Sequence, residues 1–460
     1  MTKRNRQFRR RGFLKVGLTG LATGAIAPTL WLPRRSLADT PAHGQVKHLI
    51  LINTDGGMRS TCLFNADVSD QWNPPSISGK QSGANGTDWG VGGVFSAEAH
   101  DGGIVGSIPS VPQISNKICV LGTVDHTPGE ERGDGTHATA RLRIATGEPD
   151  GSVGLLTRIY KSHALYQDGG IEENFPPVTI NSARLFGVGS GEWGSFRPVA
   201  INNYRDFRSS GSSEVAERPS WALDLERGTD DWYAATRAQR HRQLVNGLID
   251  TKRQALTFRP IFTDPILDVE NSPDESMHGM SNEELVAALG SDGLGLDLAL
   301  ALRFIGFGSP ALAVGDSGWD FHSDELAEFP EQGRNLGRAI SGLYFALQAL
   351  KHPDGGSYFD HTLVAVVSEF GRDNVEANGF NSGNGSDHNG GPGSRYQAIP
   401  FFGGVVGKRG KFFGETNAST MEPKSGEPVF GTRSMLATFL DVLGIDASEH
   451  FVDEPLTEIF

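Results

Sequence analysis

Three apolar runs in this chain end in carboxylates followed by turn residues. Residues 47–53 lead into Asp55-Gly56-Gly57, 311–314 into Asp316 and Asp320, and 362–367 into Glu369. An open α/β sheet binds ligands in the crevice outside the carboxyl ends of its strands, so acidic side chains delivered there from distant stretches of sequence converge on one cation. His322 and His388 add imidazole nitrogens at the same edge. Together these residue types do the chemistry of a divalent metal site.

Each motif has its own reading. The two glycines after Asp55 let the backbone bend round a bound ion, and a plain turn uses the same residues. Asp320 and His322 lie two apart on an extended segment, face the same side and grip one metal, with Asp324 as a supporting or capping residue. Glu369 ends a strand of the kind buried on both faces, where an unpaired carboxylate is costly. Its counter-charge is either Arg372 in a structural ion pair or a metal, which leaves Arg372 to hold an anionic substrate. Asp387 and His388 sit in a Gly-rich loop with little packing reason to contain that pair.

The elements that must position these groups are legible in outline. Strands are predicted over 46–52, 118–124, 311–314, 362–367 and 398–403, and helices over 136–145, 332–350 and 433–443, the first ended by Gly147 and the last by Gly444. Ser281-Asn282-Glu283-Glu284 is a capping box opening a helix toward Phe304. Residues 174–262 read as an insertion, with a strand-like 176–180, a helical 221–256, and Trp193, Trp221 and Trp232 as features of a lid or specificity region. Strands alternating with helices predict an α/β domain over 39–460, with a mostly parallel sheet covered on both faces.

Residues 1–38 stand apart as a leader. Arg10-Arg11-Gly12-Phe13-Leu14-Lys15, a Gly-broken apolar stretch over 16–32 and the small-residue site Ser36-Leu37-Ala38 resemble a twin-arginine export signal, which makes the twin-arginine translocase a partner and the mature chain periplasmic or secreted. No later segment is long and apolar enough to span a membrane. The whole chain has formal charge −14, and the leader's Lys and Arg make the remainder more acidic still. That balance disfavours nucleic acid and anionic lipid as partners. Of the two cysteines, Cys62 and Cys119, an exported chain permits pairing, while the apolar run around Cys119 suits a buried thiol.

The run from Lys47 to Met58 resembles the opening strand of the alkaline phosphatase superfamily, and Thr136-His137-Ala138-Thr139-Ala140 through Gly147 resembles its nucleophile helix. Trp319-Asp320-Phe321-His322, Ser368-Glu369-Phe370-Gly371-Arg372 and Asp387-His388, with the leader, resemble more specifically a secreted bacterial family in it, the domain of unknown function 1501. The resemblance implies an alkaline-phosphatase-like three-layer sandwich and hydrolysis of an anionic phosphate or sulfate ester. It implies one metal on Asp320, His322 and His388, a second on Asp55 and Glu369, and a hydroxyl nucleophile at a helix N-terminus, Thr136. Zinc is the metal implied; manganese, magnesium or calcium suits an oxygen-rich site. Arg372 or Arg141 offers anion contacts.

This chain departs from that pattern in places. Phe370 stands where better-known phosphatases place a His, and His322 follows Asp320 by two residues rather than four. His137 aligns as well as Thr136 with the nucleophile position, as metal ligand, general base or phosphoryl acceptor, and Asp134 is a further possible ligand. These departures frame an alternative, a non-catalytic periplasmic protein that keeps the fold and binds a metal or ligand. A transferase or mutase of the same superfamily is a third option.

Overall fold

Runs 49–52, 311–314 and 363–367 are apolar without alternation, the pattern of strands covered on both faces. In the computed structural model of the chain they are neighbours at the centre of one sheet. The structure describes residues 43–73, 79–81, 86–166, 175–208, 220–236, 249, 257–373 and 386–460. The leader read over 1–38 and most of the helical reading past 236 lie outside them.

Among the described residues nine strands form the sheet: β1 (His48–Asp55), β2 (Cys119–Asp125), β3 (Val178–Ile180), β4 (Val199–Ile201), β5 (Ala311–Ser317), β6 (Thr362–Ser368), β7 (Tyr396–Gly403), β8 (Phe412–Phe413) and β9 (Phe430–Gly431). Their order is β8-β2-β7-β6-β1-β5-β3-β4, with β9 also on β2. All pairings are parallel except those of β7, which runs antiparallel to β6 and β2. The carboxyl ends of β1, β2, β5 and β6 therefore share one edge with the amino end of β7.

The longer helices among the described residues are α1 (His137–Thr146), α2 (Leu155–Tyr166), α3 (Ser220–Thr236), α4 (Asn282–Leu289), α5 (Gly293–Gly306), α6 (Glu325–Ala349) and α7 (Thr432–Val442). Successive strand residues point to opposite faces. Ile50, Ile52, Leu312, Val314, Val364 and Val366 enter the core with α4, α5 and α6. Leu49, Leu51, Ala311, Ala313, Leu363, Ala365 and Val367 enter the core with α1, α2 and α7. The result is a three-layer α/β sandwich.

The structure adds detail to the sequence readings and changes one of them. Val178–Ile180 and Val199–Ile201, read as insertion, extend the central sheet beside β5. The helix from the capping box does not run on to Phe304. Its box forms as expected, but Gly290 at φ 103° breaks the chain, and Asp292 caps a new helix by accepting the Gly295 N–H. Asp324 precedes α6 in the left-handed region and its side chain makes no cap bond. Cys62 and Cys119 are buried in the cores on opposite sides of the sheet and form no disulfide with each other, and burial pushes both thiols up to about 12.

One buried ion pair ties the loop after β1 to the start of α6. Arg59 donates to Glu325 from Nε at 2.7 Å and Nη2 at 3.3 Å, and to the carbonyls of Trp72 and Asp373. Both side chains are fully buried. Glu325→Ala leaves the guanidinium charged and uncompensated, so chemical denaturation should show a loss of about 3–5 kcal/mol. A loss no larger than that of a surface substitution would remove the pair from the fold's supports.

Candidate metal centre

The parity that sorts the cores also selects the site. Asp55 shares its face of β1 with Leu49 and Leu51, and Glu369 follows β6 in step with Ala365 and Val367, so both carboxylates emerge on the α1 side. Asp316 has the opposite parity. It accepts the Trp319 indole N–H at 2.8 Å and a Gln332 amide N–H at 3.2 Å, anchoring the loop that carries Asp320. Burial pushes it up to about 7.

On α1, His137 and Arg141 are four residues apart and therefore on one helix face. That face meets the strand-end carboxylates. His137 Nδ1 lies 2.5 Å from Glu369 Oε1, and Arg141 Nε lies 2.7 Å from Asp55 Oδ1 and 3.1 Å from Glu369 Oε2. The second pair of expected metal ligands, Asp55 and Glu369, thus already brackets a guanidinium.

Across the crevice, ligand atoms of His137, Asp320, His322 and His388 all fall within 4.8 Å of one another. His388 Nε2 is 3.1 Å from His322 Nε2 and 3.6 Å from Asp320 Oδ1. His322 Nε2 is 3.0 Å from Asp320 Oδ1, and His137 Nε2 is 3.2 Å from Asp320 Oδ2. His388 Nδ1 sits 2.9 Å from the Gly135 carbonyl, which only accepts, so Nδ1 carries the hydrogen and Nε2 presents its lone pair to the cluster. Glu369 fixes His137 in the same sense. A second group that holds the remote ring nitrogen is what metal-binding imidazoles ordinarily possess.

Two glycines allow the approach. A Cβ at Gly56, where φ is 120°, would lie 2.5 Å from Asp320 N, and one at Gly57, where φ is 94°, 2.5 Å from the Phe370 ring. Phe370 stacks on His388 with centroids 4.3 Å apart and an interplanar angle of 19°. It forms the apolar wall of the cluster.

The charges are strongly coupled. Burial, then the hydrogen bond and charge of Glu369, raise Asp55 to about 6. Burial works to raise Glu369 too, but hydrogen bonds from His137 and Asp55 and the charge of Arg141 hold it below the ordinary range. The pair is one proton-sharing unit with Glu369 as its ionised member. The Glu369 hydrogen bond raises His137 against burial, and burial with the charges of Arg372 and His137 lowers His388.

The remaining candidates take supporting positions. Thr136 is the exposed N-cap residue of α1, and its hydroxyl makes no cap bond. Asp134 accepts the Thr136 N–H at 2.9 Å and Arg143 Nε at 3.2 Å, so it organises the start of α1. Asp387 accepts the His388 N–H at 2.8 Å and lies 3.8 Å from His322 Nδ1. Arg372 is buried and donates to carbonyls and to Asp320. Trp193 packs against Lys161, its Nζ 3.8 Å from the ring centroid, while Trp232 is exposed and the Trp221 side chain is outside the described residues. Sequence reasoning missed the Gly135 carbonyl and buried His126, whose Nδ1 donates to the Arg395 carbonyl while Nε2 accepts the Asp134 N–H at 3.0 Å. No residue-type signal marks such backbone contacts.

A family model described as Protein of unknown function (DUF1501) matches residues 46–454. The chain belongs to the DUF1501 family. No curated protein matches it. Similar solved structures include the lipoteichoic acid synthase LtaP from Listeria monocytogenes, at 12% identity over 89% of this chain and 75% of that one, with a TM-score of 0.34. A protein in the alkaline phosphatase superfamily from Vibrio parahaemolyticus is 9% identical over 88% of this chain and 68% of its own, TM-score 0.34. Ps i-CgsB is 11% identical over 89% and 75%, TM-score 0.37. Likeness at this level carries no activity from one chain to another.

Asp55 sets a pH signature for the metal-free protein. Its folded value of about 6 lies above the ordinary 3.8, so the folded state holds the proton more tightly. The stability this gives is complete below pH 3.8 and is lost as pH rises through about 6. Urea unfolding of chelator-treated protein across that window should show the decline, and Asp55→Asn should flatten it. An unchanged slope in the variant would assign the titration to another group.

Proposed function

We propose that this DUF1501 protein is an exported metal-dependent hydrolase of a phosphate or sulfate ester. The observation that carries the reading is the convergence of His137, Asp320, His322 and His388, with the remote nitrogens of His137 and His388 tied to Glu369 and Gly135. The donor set fits a metal. His137 Nε2 is buried and its approach to Asp320 Oδ2 at 3.2 Å lacks hydrogen-bond geometry, and three imidazoles with one carboxylate are the donors that suit zinc better than calcium or magnesium. When bound, such an ion supplies Lewis-acid polarisation of a phosphoryl or sulfuryl oxygen.

The chain's own residues supply the rest. Arg141 stands between the two carboxylates that the resemblance gives to a second metal, so one ion and one guanidinium share the positive charge. Only its Nε is bonded to protein among the described residues, which leaves the other N–H groups for an oxyanion. Arg372 has no exposed surface for that role. The N-terminus of α1 adds favourable potential for the same anion, and the exposed Thr136 hydroxyl there is the candidate nucleophile. His322, half exposed, is the candidate to move a proton at Nδ1 or to complete the ligand set.

A non-catalytic binding protein of the same fold is the second reading. Phe370 favours it, because its ring occupies the wall of the site with no polar atom.

Elemental analysis tests the hydrolase reading at its first step, because that reading requires a bound ion and the binding-protein reading does not. The purified protein should hold about one equivalent of a zinc-like ion, and His137→Ala with His388→Ala should lose it while retaining the fold by circular dichroism. A folded parent that takes up no zinc or manganese on supplementation would favour the binding protein. For export, replacing Arg10 and Arg11 together by Lys should abolish the processed chain in the periplasmic fraction, since the twin-arginine translocase reads the arginine pair. Normal processing of that variant would point to another route. Among the described residues no helix is long and apolar enough to cross a membrane.

A further inference from the structure

Arg372 follows β6 by a few residues, and its backbone surroundings are pinned on both sides. Gly371 N–H donates to the Ser394 carbonyl at 3.0 Å and Asp373 N–H to the Asp387 carbonyl at 2.9 Å. From that base the guanidinium reaches three other segments. Nε donates to the Gly57 carbonyl at 3.0 Å, and Nη1 to the Ser386 carbonyl at 3.1 Å. Nη2 lies 2.7 Å from each of the Gly56 carbonyl, the Trp319 carbonyl and Asp320 Oδ1. The side chain has no exposed surface.

These acceptors belong to the loop after β1, the loop after β5 and the segment before β7, the last two of which carry Asp320, His322 and His388. Buried carbonyls require donors, and here one planar fork supplies four of them at once. A lysine has three donors on a single atom and cannot span the same set. The bond to Asp320 Oδ1 also limits rotation of that carboxylate, whose two oxygens face His322 and His137 respectively.

We infer that Arg372 is a positioning residue, a buried brace that holds the three loops in register so that Asp320, His322 and His388 meet at one point. It acts through those residues and does not touch substrate. The consequence for metal binding rests on the hydrolase reading; the brace itself does not.

The test uses the full mature chain with Arg372→Lys and Arg372→Gln, by hydrogen exchange and by titration with Co²⁺ followed in the visible spectrum. Exchange should quicken about tenfold or more at the amides of 56–60, 318–323 and 386–390 while β1 and β6 keep their protection. Cobalt affinity should fall about 10- to 100-fold with a changed d–d band, which a general loss of stability would not produce. Unchanged loop protection in both variants would overturn the inference. So would loss of protection in the whole sheet together with the loops, since that would make Arg372 a requirement of the fold and not of the site. A parent that binds no cobalt would remove the hydrolase reading, and the exchange pattern would still decide the brace.

Discussion

A carboxylate buried at the end of a strand covered on both faces has to find its counter-charge inside the protein. Glu369 is fully buried, and the desolvation of an ionised carboxylate there would cost several kcal/mol, roughly, if nothing opposed it. What opposes it is α1, through His137 on one oxygen and Arg141 on the other. The same contacts dock α1, whose start Asp134 organises, and turn His137 Nε2 toward Asp320. Helix docking, histidine tautomer and the position of the Arg141 charge all follow from this one burial.

Strand direction is the second constraint. Side chains from β1, β5 and β6 meet because those strands are parallel, so their carboxyl ends coincide. His388 precedes its strand instead of following it, and reaches the same edge only because β7 runs the other way. Glycines at 56 and 57 let the β1 loop lie against Asp320 and Phe370 where any Cβ would collide. Two buried arginines then hold the loops from beneath, Arg59 on Glu325 and Arg372 on the ring of carbonyls.

The polarity of the cluster is divided between its two sides. One side is nitrogen-rich and centred on Asp320; the other is a carboxylate pair neutralised by Arg141. A guanidinium in that position carries fixed charge and directional N–H groups, whereas an ion there would be exchangeable. The site therefore pairs one candidate metal position with one permanent cation, and the Phe370 ring closes the wall between His137 and His388.

Local sequence determined the central strands, the capping box at Ser281, the Gly147 stop and the set of strand-end acids, because each is written in periodicity, turn chemistry or residue type within a few positions. Resemblance to a known family, and not local pattern, marked His137 and Arg141. Tertiary structure alone decided that β7 is antiparallel, that residues 178–180 and 199–201 join the main sheet, and that Asp316 turns away from the site while Asp55 turns into it. It alone decided that Arg372 is spent on backbone carbonyls and that Arg141 sits between Asp55 and Glu369. Those outcomes depend on which distant segments become neighbours and on how buried charges and carbonyls are satisfied once they do, and no local pattern encodes that competition.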